Sequence, residues 1–522
     1  MTHFPRLFRF SDFPHLRWPG PVRLGLTTVT TLSAVAAAAA MLLLAGCTTV
    51  GPDYAGAPAV AADALAQPRF ARDDASSSST ASAAARWWLA LNDATLDALV
   101  EQALSQSPTL QAAEARLRSA RAAFSAQEAA GRPTGSASAL GAGVWQGPGT
   151  DHERSLHLYS VGFDASWEVD LFGGTRRAVE AASAQAQAVQ ADLADAQVSL
   201  AAEVASTYVG LRAQQQRQAL LRDTAAVDAQ ALVLVRQRRD QGVASADDVE
   251  QRVQQGDATQ ASLADVAADI AASLDRLALL TGQAPGALDA RLAATSTAAA
   301  TQTQTQTGIG GGAGAVAPSM LPRAPERLEI GDPASLLQRR PDIRAAERRL
   351  AGHNARIGQQ RAKYFPKLSL LGNIGVAGTE PGQLLRTDNL ALAAVPYLSW
   401  NFLDFGRTAA AVRGAEADRD EAIANYRAAV LGALQDANTS LARFGRQRQS
   451  VQHLLAQQES MARTLTLTQQ RRQAGTASEV DLLDARRRDT EARLKSLDGE
   501  SALLKDFVAL QKSLGLGWAL PG

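Results

Sequence analysis

The residue with the plainest reactive chemistry is Cys47, the single cysteine among 522 residues. It closes an apolar run from Ala34 to Ala45 that lies behind a basic, aromatic-rich leader. Such a leader reads as a secretory signal, removed from the mature chain. The small residues Ala45 and Gly46 suit a peptidase cut just before Cys47, after which the thiol is the nucleophile that accepts an acyl lipid. Other reactive chemistry is scarce. The six histidines (His3, His15, His152, His157, His353, His453) are scattered, and two of them go with the leader. No His/Cys metal spacing, nucleophile elbow or phosphate loop is present in the sequence. Only Met320 and Met461 survive processing, too few for a methionine route for copper. The expectation is a protein that is not an enzyme and holds no metal. Its one attached group would be covalent diacylglycerol with an N-acyl lipid on Cys47.

The carboxylates Asp481 and Asp484 carry a second kind of chemistry. They follow the Gly475 turn, with Ser478 placed to cap a helix and the apolar Val480 beside them. Acids in a first helical turn are stabilised by the helix dipole. Arg471 and Arg472 lie just before the turn.

Formal charge is zero for the whole chain. Removal of 1–46 takes away four basic residues and one acidic residue, leaving 48 basic against 51 acidic and a net charge of about −3. No basic face for nucleic acid follows.

These residues sit in two copies of one unit, related by a constant offset of 233. Pro108, Glu114 and Leu117 return as Pro341, Glu347 and Leu350; Trp167 and Phe172-Gly173 return as Trp400 and Phe405-Gly406; Gly242, Ser245 and Asp248 return as Gly475, Ser478 and Asp481. Matches without insertion over so long a stretch mean internal duplication. Each copy holds a helix-forming stretch of about 65 residues, Thr175 to Gln241 and Arg407 to Ala474, without proline. At ~1.5 Å per residue each spans roughly 100 Å. Two strands per copy precede these runs, at about 134–146 and 158–170, then 367–378 and 391–404. The clearest, Tyr159–Asp170, sets Tyr159, Val161, Phe163, Ala165, Trp167 and Val169 against Ser160, Asp164, Ser166, Glu168 and Asp170. That period of two gives one apolar and one polar face. Beyond residue 47 no apolar run is long enough for a membrane helix. A membrane crossing would therefore use strands in a closed barrel. Four strands cannot close one, since about eight is the minimum, so one chain must combine with others; three copies would give twelve strands.

The organisation reads as a signal peptide over 1–46, a lipidated tether over 47–85, a first repeat over 86–285 and a low-complexity linker over 286–335. A second repeat follows over 336–522, with hairpin tips near Gly242 and Gly475. Gly173 and Gly406 read as backbone devices that turn strand into helix. Trp167 and Trp400 read as membrane-interface aromatics.

Leu44-Ala45-Gly46-Cys47 looks like a bacterial lipobox, and Thr48 in place of Asp favours the outer membrane. The whole mature chain resembles the TolC/OprM-like outer-membrane factors of tripartite efflux systems, in their lipoprotein, NodT-like branch. Carrying that resemblance are Cys47-Thr-Thr-Val-Gly-Pro-Asp-Tyr54, Trp87-Trp88, Arg339-Arg340-Pro341-Asp342-Ile343 and Tyr364-Phe365. Asp170-Leu-Phe-Gly173, Asp404-Phe-Gly-Arg407 and Gly475-Thr-Ala-Ser-Glu-Val-Asp-Leu-Leu-Asp-Ala485 add to it. It implies a mainly α homotrimer: a twelve-stranded β-barrel in the outer membrane, continued by a long helical periplasmic tunnel. Its implied partners are outer-membrane lipid, a periplasmic adaptor (membrane fusion protein) and an inner-membrane RND-type pump. The chain would be their passive exit duct for small molecules. It also implies that Asp484, Asp481 and Val480 narrow the tunnel entrance, where clustered carboxylates would favour cations and raise some pKa values. Arg471 and Arg472 would pair with a neighbouring chain's acids. Two other readings of the sequence are a non-conducting coiled-coil envelope scaffold and the outer-membrane duct of a type I protein secretion system.

Overall fold

The computed structural model describes residues 49–72, 86–145, 155–293, 321–325, 332–334 and 340–518. Cys47 and the signal segment lie outside the described residues, as does most of the linker expected over 286–335.

A short turn α1 (Ala62–Leu65) comes first, followed by α2 (Ala94–Gln106), α3 (Pro108–Ala129), β1 (Thr134–Trp145) and β2 (Ser155–Val169). The first long hairpin is α4 (Gly174–Asp240) with α5 (Ala246–Leu280). The second repeat supplies α6 (Pro341–Ala362), β3 (Lys367–Gly378), β4 (Leu390–Ser399), α7 (Arg407–Gln473) and α8 (Glu479–Ser513). Repeat partners have equal lengths: 22 residues for α3 and α6, 67 for α4 and α7, and 35 for α5 and α8. Proline opens both α3 and α6 at the first helical turn, where its missing N–H costs nothing. No helix among the described residues is long and apolar enough to cross a membrane.

The four strands form one antiparallel sheet in the order β1-β2-β3-β4. Pairing places Ala137, Phe163, Ile374 and Leu392 in one row, with Ala139, Val161, Val376 and Leu390 in the next. These rows are apolar across the sheet. The opposite face carries Asp164, which accepts from Ser138 at 2.5 Å and from Asn373 at 2.6 Å, and the pair Lys367–Glu168 at 3.0 Å. One sheet therefore meets two solvents, the arrangement of a transmembrane barrel wall. β4 is shorter than the 391–404 expected, because β3 begins at Lys367, opposite Ser399, and among the described residues β4 pairs with no other strand.

Gly173 (φ 77°) and Gly406 (φ 84°) take the left-handed conformation at the start of α4 and α7. An aspartate caps each junction. Asp170 accepts from the Thr175 and Arg176 amides, and Asp404 from those of Gly406 and Thr408. Indole Nε1 of Trp167 donates to the Gly131 carbonyl at 3.0 Å, and that of Trp400 to the Tyr364 carbonyl at 2.9 Å, again a 233-residue match.

The main core lies around the middle of the long helices. Trp87, Trp88, Leu96, Leu99, Tyr208, Leu277, Phe444, Leu504 and Phe507 share it, so both repeats contribute to one interior. Trp87 packs edge-on against Trp88 and Phe507, each at 5.9 Å. Two expectations about irregular segments need correction. Leu288 and Leu292, at the start of the expected linker, are fully buried in this core. The supposed tether is seated as well, over Thr49–Tyr54. Val50 N–H donates to the Phe172 carbonyl, Arg177 reaches the Val50 and Gly51 carbonyls and Asp53, and Tyr54 donates to Glu347. Backbone polarity drives this docking: the segment has few large apolar side chains, but its carbonyls satisfy a guanidinium with only 5% of its side chain exposed.

Candidate functional site at the hairpin tips

The two tips are built alike. Gly242 (φ 74°) and Gly475 (φ 73°) reverse the chain in a conformation glycine adopts without strain. Ser245 then caps α5 and Ser478 caps α8. Ser478 Oγ accepts from the Asp481 amide at 3.1 Å while the Asp481 carboxylate accepts from Ser478 N–H at 2.8 Å. Ser245 and Asp248 repeat this at 3.1 and 2.8 Å. This is a capping box with Asp in the reciprocal position. Hydrogen bonds from Ser478 hold the Asp481 carboxyl below the usual carboxylate range, and those from Ser245 do the same for Asp248. The neighbouring arginines Arg471 and Arg238 lower the Asp481 value further, and the like-charge crowding expected at the entrance involves the acids of other copies.

Asp484 stands in a different environment. One turn deeper than Asp481, it receives Arg252 of the first hairpin in a two-pronged ion pair, at 2.7 and 3.0 Å. The side chains are 31% and 18% exposed, so the pair is shielded more than an ordinary surface bridge. Deeper still, the buried Asp228 of α4 accepts from Thr259 of α5 at 2.7 Å and faces Arg487 of α8 at 3.4 Å. Together these polar contacts tie the second hairpin to the first. Val480 is half-buried beside them.

Arg471 and Arg472, expected to pair with a neighbouring chain's acids, make their contacts within their own chain. Arg472 pairs with Glu479 of its own hairpin, and Arg471 reaches the Thr476 carbonyl at 3.4 Å. Both brace the turn, and the cation facing Asp484 is Arg252. A sequence signal for Arg252 existed. Across the 233-residue offset Gln251 stands for Asp484 and Arg252 for Ala485, so the acid peculiar to one repeat has a base peculiar to the other at the adjoining position. Among the described residues no group of acids, histidines and cysteines is arranged to hold a metal ion.

A family model described as outer membrane efflux protein matches residues 99–283 and 333–516. Outer membrane protein OprJ of Pseudomonas aeruginosa is 28% identical over 436 residues, covering 83% of this chain and 86% of OprJ. Pyoverdine export outer membrane protein OpmQ of Pseudomonas putida is 30% identical over 447 residues, covering 83% and 88%. Among solved structures, the outer-membrane channel OprN superposes with a TM-score of 0.72 at 33% identity, over 90% of this chain and 99% of that one. The open-state MtrE channel of Neisseria gonorrhoeae shares the fold, with a TM-score of 0.71 at 24% identity over 90% and 98%.

Proposed function

This chain belongs to the outer membrane efflux protein family, and from that membership we propose a passive exit duct, assembled from three copies and gated at its hairpin tips. It is an outer-membrane channel of the efflux type with a helical periplasmic part. The observation that carries the reading is the sheet, one face of which is apolar from Tyr159 to Val169 of β2 and along the residues paired with them, and each of whose hairpins runs into a 67-residue helix. A wall facing lipid and a tube about 100 Å long are thereby continuous in one chain. With no nucleotide site in the sequence, energy and cargo come from elsewhere, from an inner-membrane RND-type pump and a periplasmic adaptor. Acylation of Cys47 would anchor the assembly to the same membrane.

The gate in this reading is the set of contacts between hairpins, with Arg252–Asp484 as its latch. Asp484 and Val480 would line the narrow entrance. Asp481 would add charge there while serving mainly as a helix cap. Opening separates the second hairpin from the first and exposes the Asp484 carboxylate to the lumen.

Single-channel recording in planar bilayers tests this. Asp484→Ala raises conductance and weakens cation selectivity; Arg252→Ala raises conductance and keeps selectivity, because the acid remains. Unchanged conductance in a trimeric Asp484→Ala protein takes Asp484 out of the gate. Absence of both conductance and heat-resistant trimers in the unsubstituted protein would favour the scaffold reading.

A further inference from the structure

The two hairpins of the sheet end differently on the side away from the helices. β1 and β2 stay paired as far as Trp145 and Ser155, whereas β3 stops at Gly378, opposite Tyr159. From there the chain folds back through a turn, Pro381–Leu385, before β4 begins at Leu390. The turn is held from within. Gln383 Oε1 accepts from the Thr379 amide at 3.0 Å, and the Gln383 carbonyl accepts from the Asn389 side chain at 3.0 Å. Gly378 shows the direction of the fold. It shares a face with Tyr159, Val161 and Phe163, and a Cβ on Gly378 would come within 2.6 Å of the Gln383 side chain. The turn therefore lies over the apolar face, where it also touches β2. Leu385 at its end is 91% exposed, and Leu390 and Leu392 of β4 are exposed too.

We infer that this turn anchors the barrel at the outer boundary of the membrane, with lipid at the junction of acyl chains and headgroups as its partner. Continuity argues for lipid over a protein partner, because the turn lies on the face that meets the bilayer. Leu384 and Leu385 also supply what the sheet lacks at this height. Gly141 and Gly378 flank Tyr159 in its row, so two of the three paired strands offer the acyl chains no side chain there. A leucine carried to the same level by the turn gains by leaving water. Arg386 and Asp388, next along the chain, are exposed and 3.8 Å apart, charges that suit the headgroup side.

The height agrees. Trp167 and Tyr159 lie on the same face, eight residues apart. That is about 26 Å of strand, or about 20 Å along the membrane normal at a tilt of ~40°. With Trp167 at the periplasmic interface, the row of Tyr159 and Gly378 comes near the far edge of an apolar band ~25 Å tall. His157, stacked on Tyr159 with centroids 6.4 Å apart, lies one row beyond. The first hairpin passes that edge as strand, through Ser155–Leu158, while the second turns outward and back along the lipid face. Gln383 is the positioning residue, since it fixes Thr379 and fills the space over Gly378.

The inference rests on the barrel reading proposed above, and one experiment separates the two. Full-length protein with Leu385→Cys, Phe163→Cys or Ser160→Cys is labelled with an NBD fluorophore and reconstituted in phosphatidylcholine vesicles. Unsubstituted protein, treated alike, is the blank for Cys47. Part of the lipid carries a nitroxide quencher, either near the head of the acyl chain or near its end. The Leu385→Cys label should be quenched several-fold more by the shallow nitroxide than by the deep one, and little by iodide in the water. The Phe163→Cys label, in the middle of the apolar face, should be quenched more by the deep nitroxide, and the Ser160→Cys label, on the polar face, by iodide alone. Adding Gln383→Ala to the Leu385→Cys protein should weaken lipid quenching and raise that by iodide; no change takes the positioning role from Gln383. Iodide quenching without lipid quenching of the Leu385→Cys label, or protection from both, overturns the anchor, while lipid quenching of the Phe163→Cys label keeps the barrel standing. Quenching of the Leu385→Cys label mainly by the deep nitroxide overturns the interface position as well. A Phe163→Cys label that lipid leaves untouched removes the barrel reading itself.

Discussion

The two repeats have the same elements, helix lengths and hairpin registers, yet their surroundings differ at three levels. At the belt, α6 is packed against α4 while its counterpart α3 shows its matching face to solvent. At the strand-to-helix turn, Gly173 is covered by the Thr49–Tyr54 segment and Gly406 stands open. At the tips, the second hairpin contributes Asp484 and the first contributes its cation Arg252. The lesson is that duplication supplies the scaffold, and departures from it mark where the molecule docks, anchors and opens.

The largest test of that contrast concerns the belt. Ile357→Ala empties a fully buried position and should cost about 2–5 kcal/mol, read from denaturant unfolding. Phe124→Ala, at the matching position on α3, should cost clearly less in dissociated chains and approach the same loss in the assembled trimer. Equal losses in both states would mean that α3 gains no partner on assembly.

The turn glycines come next. Both have positive φ, so Gly406→Ala should cost about 1–2 kcal/mol of backbone strain. Gly173→Ala adds a Cβ only 2.5 Å from the Thr49 side chain, which must shift. Limited proteolysis should then cut the 49–60 segment faster in Gly173→Ala than in Gly406→Ala. Equal protection in both would disprove the docking role of Gly173.

Smaller effects are expected at the caps, where the repeats are alike. Ser245→Ala and Ser478→Ala should each lower stability by about 1 kcal/mol, measured as matched shifts in thermal unfolding. Conductance well above the parent in Ser478→Ala alone would show that the second cap also belongs to the gate. The smallest effect is that of pH. The Asp481 and Asp248 carboxyls are held below the ordinary range by their serines, so their contribution is present above the unfolded value. It fades as pH falls through their lowered folded values, and tip amides should then exchange faster in hydrogen-exchange measurements. Faster exchange on raising the pH from neutral, beyond the intrinsic base-catalysed rate, would contradict that sign.

Much of this architecture was legible before any coordinates. The alternation through Tyr159–Val169 announced a strand with two faces, and proline-free runs rich in helix formers announced α4 and α7. Ser478 with Asp481 announced a cap, and the structure forms one. Less legible was everything that depends on which helix lies beside which. Arg252 carried a signal in the repeat asymmetry, but nothing local says that α5 lies against α8 at that height. The Thr49–Tyr54 segment was harder still, because it docks through backbone carbonyls, which every sequence possesses equally. The sequence carries β4 to residue 404 and the strand ends at Ser399, since a strand's length depends on its neighbour as well as on its own residues.

By itself, the sequence determined the duplication, the two-faced strands, the helix lengths and the capped tips. All of these follow from local periodicity and from residues acting on their own backbone. Tertiary structure alone decided that Arg252 meets Asp484, that Arg177 gathers the amino-terminal segment, and that one inter-repeat face is filled while its twin stays open. These contacts join residues more than a hundred positions apart. Their energy depends on the distance and shielding set by helix packing, which no single stretch of chain encodes.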